Sequence, residues 1–171
     1  FCVLLRSSNQ YAPRYAENLR ALGIPAWAAS TGGFFSASEI ATILSFLRVI
    51  DNPNQDIPLL AVLMSPVYGF TADDMARLRA DCGGETLYVS LLRAEDARCM
   101  RVREEIARYR ILASTMPSDA FITMLCDETG FENIVRSMPG GEGRLANLRL
   151  LEQYAAEYEA YGYNGISGFV R

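Results

Sequence analysis

The chain has 171 residues, half of them hydrophobic and 21% charged, a globular composition rather than a disordered or fibrous one, and no apolar run approaches the roughly 20 residues that span a bilayer. Its basic residues are all arginine and are outnumbered by 20 carboxylates, and the net charge of −4 disfavours tight stand-alone binding to nucleic-acid phosphate. With no histidine it builds neither a Ser-His-Asp nor a Cys-His centre, and Cys2, Cys82, Cys99 and Cys126 form no C-x-x-C pair for zinc.

Phe1 to Arg6 is rich enough in Val and Leu to read as a short buried strand. Tyr11 to Leu22 follows as a helix, with Tyr15, Leu19 and Leu22 on one face and Gly23 as its stop. A second short strand is expected around Ala26 to Ala29, and Thr31-Gly32-Gly33 is the natural hinge. Ser36 and Glu39 have the spacing of a capping box. Ile40, Ile43, Leu44, Leu47 and Ile50 then repeat at helical spacing, with Phe46 and Val49 widening the apolar face. Only Glu39, Thr42, Ser45 and Arg48 remain as a polar stripe, so this helix is buried on most sides and the chain is organised around it. Asn52-Pro53 ends it.

Asp56 is the expected N-cap of the next helix, which runs to about Met64, and Thr71 with Asp74 is a capping box for a third, to Ala80. Further helices are expected over Thr86–Leu92, Glu95–Leu112, Ala120–Glu128, Phe131–Arg136 and Gly143–Tyr158. Cys99, Val102, Ile106, Tyr109 and Ala113 form the inward stripe of the long one. The four cysteines read as buried apolar side chains, and free thiols suit a reducing cytoplasm. The chain reads as a piece of a longer protein.

Four stretches invite a functional reading. Arg6-Ser7-Ser8-Asn9, at the carboxyl end of a strand, could hold a phosphate, or Ser8 or Asn9 could simply cap the following helix. Pro66 to Thr71 is a glycine turn feeding a helix N-terminus, which suits an anion, although Asp73 and Asp74 favour a plain capped turn. The arginines between Arg93 and Arg110 alternate with carboxylates, and Arg101–Glu105 and Glu104–Arg108 have the spacing of surface ion pairs. Gly140-Gly141-Glu142-Gly143-Arg144 is no Walker loop, which requires lysine; Arg144 and Asn147 are expected to tie that loop to its helix.

The succession R-S-S-N (6–9), G-I-P (23–25), F-F (34–35), E-I (39–40), L-R-V-I (47–50), N-P (52–53) and P-V-Y-G-F (66–70) resembles the C-terminal motor region of superfamily 1A DNA helicases, the UvrD/PcrA/Rep group, and among them the AddA-type (RecB-like) helicase-nuclease subunits. Residues 143–159, GRLANLRLLEQYAAEYE, are similar to a helix those proteins carry downstream. The resemblance implies a mainly α fragment. Residues 1–33 would be a strand-helix-strand tail of the RecA-like α/β motor domain 2A, and residues 34–171 most of the irregular helical accessory domain 2B. It implies a non-catalytic piece of an ATP-dependent DNA helicase and exonuclease of break repair and recombination, with ATP and Mg bound elsewhere in the parent and none held here. Its partners would be duplex and single-stranded DNA and an AddB-type second subunit, in the cytoplasm and without a membrane. By position Arg6 and Ser8 would contact the translocating strand, Ser8 replacing the family's asparagine, and Gly69, Phe70 and Thr71 would lie against duplex, Thr71 replacing its second glycine. A helical protein-interaction module without nucleic-acid binding is the alternative.

Overall fold

The computed structural model describes residues 2–6, 8–26, 28, 33–162 and 165–170, with residues 8–10 by backbone alone. Helices α1 (Ser8–Ala21), α2 (Ser38–Asp51), α3 (Asp56–Leu63), α4 (Ala72–Cys82), α5 (Leu87–Arg93), α6 (Ala97–Ala113), α7 (Ser118–Glu128), α8 (Phe131–Ser137), α9 (Gly141–Ala160) and α10 (Ile166–Phe169) account for most of it, with one 3-10 turn at Phe34–Ser36. The mainly α expectation holds. The strands do not: residues 2–6, Ala26 and Ala28 carry none, because a strand exists only through a neighbour's hydrogen bonds and no ladder forms among the described residues. Phe1, Trp27, Ala29 and most of the expected hinge lie outside the described residues.

The chain divides into two compact units, Phe1–Ala37 and Ser38–Arg171. In the first, Gly23 ends α1 in the left-handed conformation (φ 77°), with the Ile24 amide donating back to the Leu19 carbonyl at 2.9 Å. The expected inward face is not buried here. Tyr15 and Leu22 are 54% and 76% exposed, and the residue that packs away is Ala16. Periodicity shows that a helix has an apolar side, not that this unit supplies something to cover it.

The second unit is packed around α2, which touches α3, α6, α9 and α10. Ile40, Ile43, Leu44, Phe46, Leu47, Val49 and Ile50 are all buried, each such side chain stabilising by about 1.5–3 kcal/mol. Helices α7, α8 and α9 pack on one another through Phe121, Leu125, Phe131, Val135, Leu148 and Leu151. Cys99, Val102, Ile106 and Tyr109 form the inward stripe of α6, as their spacing predicts.

Burial pushes the Cys99 thiol up to about 11 and the Cys126 thiol up to about 12. The thiolate is the reactive form, so at pH 8 a thiol-specific disulfide reagent is expected to label exposed Cys2 in the native chain and to reach Cys99 and Cys126 only after denaturation. Labelling of Cys126 in the native state, read by mass spectrometry, would contradict this packing.

Candidate functional site

The turn from Ser65 to Thr71 is closed by its own backbone. The Gly69 amide donates to the Ser65 carbonyl at 2.8 Å and the Phe70 amide to that of Leu63 at 3.0 Å, with Gly69 left-handed at φ 63°. Thr71 then caps α4 as its spacing predicts: its hydroxyl accepts from the Asp74 amide at 3.2 Å and its own amide donates to Asp74 Oδ2 at 2.8 Å. The amides of Gly69, Phe70 and Thr71 are thus all bonded within the chain. Arg98 clamps the turn from the other side, donating to the Tyr68 and Gly69 carbonyls at 3.1 Å each and lying 4.1 Å from the centroid of the Phe70 ring. Phe70 is buried, while Gly69 and Thr71 stay exposed at the outer edge. Tyr68 donates to Glu105 at 2.8 Å; burial and this bond to a carboxylate raise its phenol well above the ordinary tyrosine range.

Three arginines of α5 and α6, Arg93, Arg103 and Arg110, follow one rule that the sequence did not suggest. The last carbonyls of a helix have no intrahelical donor, and a guanidinium fork can reach two of them. Arg93 donates to the Cys82 and Gly83 carbonyls at the end of α4, at 3.4 and 3.3 Å. Arg103 does the same for Leu92 and Ala94 after α5, at 2.8 and 3.4 Å, and Arg110 reaches Asp51, the last residue of α2, at 3.3 Å. Of the two expected ion pairs, Arg101–Glu105 forms at 2.8 Å. Arg108 instead takes Glu128 of α7, which presents both carboxylate oxygens to the guanidinium. Arg93, Arg103, Arg108 and Arg110 thus join one helix to another, while Arg101 pairs along the exposed face of its own helix.

A third cluster joins α2 to α9. Glu39, 2% exposed, does not close a capping box with Ser36, and α2 begins two residues later at Ser38. Its carboxylate accepts from Arg144 at 2.5 Å and from the Asn147 amide group at 2.7 Å, while Arg144 also donates to Ser38 Oγ at 2.7 Å and to the Pro139 carbonyl at 3.0 Å. Burial alone would raise the Glu39 carboxyl; the bonds from Asn147, the backbone and Arg144 outweigh it and hold the group below the ordinary carboxylate range. Arg144 ties loop to helix through the Pro139 carbonyl, as expected, whereas Asn147 reaches Glu39 of α2 instead, and Glu39 is the unforeseen anchor of both. Asp56 is likewise redirected: it sits inside α3 behind Gln55 and accepts from the Leu87 amide at 2.7 Å.

Residues 1–37 carry Arg6, Arg14 and Arg20 against Glu17, a net +2, which leaves −6 on the second unit out of the chain's −4. Arg20 is used by the Ala26 carbonyl at 2.8 Å, whereas Arg6 and Arg14 are exposed and make no hydrogen bond or ion pair to a described residue. Ser8 is the first residue of α1; its side chain lies outside the description. The family model of the UvrD-like helicase C-terminal domain matches residues 1–97, which contain this first unit, α2 and the Ser65–Thr71 turn. The chain belongs to the UvrD-like helicase C-terminal family.

Within that family it is similar to curated proteins described as subunits of an ATP-dependent helicase/nuclease. That of Thermoanaerobacter sp. (strain X514) is 40% identical over 174 residues, 98% of this chain and 14% of the relative. Those of Acetivibrio thermocellus and Heliobacterium modesticaldum are 36% and 39% identical, over 98% and 99% of this chain and 14% and 13% of the relatives. This UvrD-like chain therefore corresponds to about one seventh of the length of the curated relatives it matches. Of the sequence-derived site residues, Gly69, Phe70 and Thr71 are brought together in one turn. Arg6 and Ser8 lie in the other unit. Arg98 was missed, because local charge blocks gave no sign of its clamp on the turn. No helix among the described residues is long and apolar enough to cross a membrane.

Proposed function

We propose that this chain is a non-catalytic part of an ATP-dependent DNA helicase and nuclease of break repair and recombination, in the cytoplasm. Residues 1–33 would belong to its motor domain 2A and residues 34–171 to its accessory domain 2B. The observation that carries this is the similarity, over 98% of the chain, to a relative named as part of an ATP-dependent helicase/nuclease. ATP and Mg would be bound elsewhere in the parent, since a Walker loop needs a lysine that this sequence does not contain. Arg6 and Ser8 would hold the phosphates of the translocating strand, supported by the net +2 of their unit and the exposed Arg6 side chain. Gly69 and Thr71, at the exposed edge of the clamped turn, would face duplex, with Phe70 supporting them from beneath.

An Arg6→Ala change in the full-length parent is expected to lower DNA-stimulated ATP hydrolysis and to reduce the salt slope of single-strand binding by about one. Unchanged stimulation removes Arg6 from the site. The second reading, a helical module that docks a second subunit of the AddB type rather than DNA, is favoured by the −6 charge of the second unit and by the internal use of the α5 and α6 arginines. Anisotropy of a labelled duplex-to-single-strand junction separates the two. Binding that weakens steeply with salt, and that Thr71→Asp impairs, supports duplex contact; binding that ignores Thr71→Asp leaves docking.

A further inference from the structure

Between α4 and the start of α6 lies a cleft of about 370 Å³ that the DNA reading does not use. Its floor is apolar and shielded, formed by Phe70, Leu78, Ala94 and Cys99, each buried. Its rim carries four carboxylates against two arginines. Part of that charge is already neutralised. Asp74 is bonded to Thr71 and lies 3.5 Å from Arg98, and Asp96 accepts from the Arg98 and Cys99 amides at 3.0 and 3.2 Å as the N-cap of α6. Arg77 lies within the electrostatic reach of Asp74. Asp81 and Glu95 are exposed and make no hydrogen bond or ion pair to a described residue.

An apolar floor under a rim with two unpaired carboxylates selects its occupant by chemistry. A phosphate would meet net negative charge on a unit that is itself at −6. A purely apolar side chain would cover Asp81 and Glu95 without pairing them, at a desolvation cost. An arginine or lysine satisfies both features, laying its methylene stem on Leu78 and Ala94 while its charged head meets the carboxylates. We propose that this cleft is a docking pocket for a cationic side chain, arginine or lysine, presented by a basic segment of a partner protein and held between Asp81 and Glu95. The inference rests on the docking half of the proposed function. It specifies the partner's chemistry at the point of contact.

The test uses the full-length parent protein with a fluorescein-labelled peptide of alternating glycine and arginine carrying a benzophenone photo-cross-linker, at low salt. Anisotropy is expected to report saturable binding. The Asp81→Asn/Glu95→Gln double variant should weaken it by about tenfold, and each single change by about threefold, as expected for paired interfacial charges. A control that removes two equally exposed carboxylates elsewhere, Glu104→Gln/Glu142→Gln, should stay within about twofold of the parent. Cross-links should map to residues 74–82 and 94–99. Equal weakening in the control, or cross-links scattered over other helices, overturns the proposal. The junction assay is measured separately on the same protein, so failure of the DNA reading and failure of the pocket give different patterns.

Discussion

Replacing Arg144 with alanine is expected to destabilise the chain by about 3–5 kcal/mol, the cost of leaving a buried carboxylate without its counter-charge. Glu39 is 2% exposed and holds its charge because Asn147, the backbone and Arg144 donate to its carboxylate. Water entering along the path of the truncated Arg144 side chain hydrates the carboxylate but does not supply the lost counter-charge. Glu39→Gln should cost less, because the glutamine carbonyl can still accept from Asn147 and the half-exposed Arg144 can hydrate. A Glu39→Leu/Arg144→Leu pair, which removes both charges together, should recover much of the loss. The pH dependence carries a definite sign. In the parent chain the Glu39 carboxyl lies below its ordinary value, so its contribution is present above the unfolded pKa, about 4.3, and is lost as pH falls through the folded one. Without Arg144 the folded pKa rises, because burial is then opposed only by the bonds from Asn147 and the backbone, so less stability is lost on acidification. The stability gap between parent and Arg144→Ala, measured by urea denaturation at equal m-value, should therefore narrow from pH 7 to pH 4. A loss below about 1 kcal/mol at pH 7, or a gap that widens in acid, would show that Glu39 is not held by Arg144 in the folded chain.

The Glu39 cluster also shows where the sequence was legible and where it stopped being so. The course of α2 could be read from its apolar spacing and from Pro53, the cap of α4 from Thr71 and Asp74, and the inward face of α6 from its repeat, since each is decided within a few residues. The misreadings share a different cause. Ser36 and Glu39 have the spacing of a box, but Glu39 is claimed by a residue 105 positions later. Asp56 is turned away from its own helix by an amide 31 positions on. Glu104 and Arg108 are four apart, yet Arg108 reaches 20 residues ahead to Glu128. For Glu39 and Asp56 a local motif worth a few tenths to about 1 kcal/mol loses to a bond that tertiary packing partly shields from water, and for Arg108 it loses to a two-oxygen carboxylate contact at the surface. Arg93, Arg103 and Arg110 were opaque for the same reason, because the carbonyls they serve belong to other elements. The exclusive use of arginine fits that role: one planar guanidinium spans two adjacent carbonyls, whereas an ammonium offers a single point of charge. The family motifs at Arg6 and at the Gly69 turn were visible in sequence, but the internal use of that turn's amides was not.

The glycines that open α9 provide the second large effect, and it distinguishes two positions only two residues apart. Gly141 and Gly143 both lie in the helix, and on propensity alone an alanine at either should stabilise by about 0.5–1 kcal/mol. At Gly143 a Cβ would meet nothing within 4 Å, so Gly143→Ala is expected to follow propensity and raise Tm slightly. At Gly141, which is buried, the same atom would press on the backbone of Arg136, overlapping its carbonyl oxygen and lying 2.9 Å from its carbonyl carbon and 3.0 Å from its Cα. Backbone cannot rotate out of the way as a side chain does, so α8 and α9 must separate or the turn between them must shift. That turn includes left-handed Gly140, at φ 73°, and the Pro139 carbonyl bonded to Arg144, so movement there also strains the clamp on Glu39. Gly141→Ala is accordingly expected to reverse sign and destabilise by about 2–3 kcal/mol, the upper range for overpacking. If both variants shift Tm upward by similar amounts, α8 and α9 do not approach as closely as described. If Gly141→Ala alone unfolds the chain early, the glycine run that invites comparison with a phosphate loop has a steric origin, the close passage of one helix start beneath another helix's end.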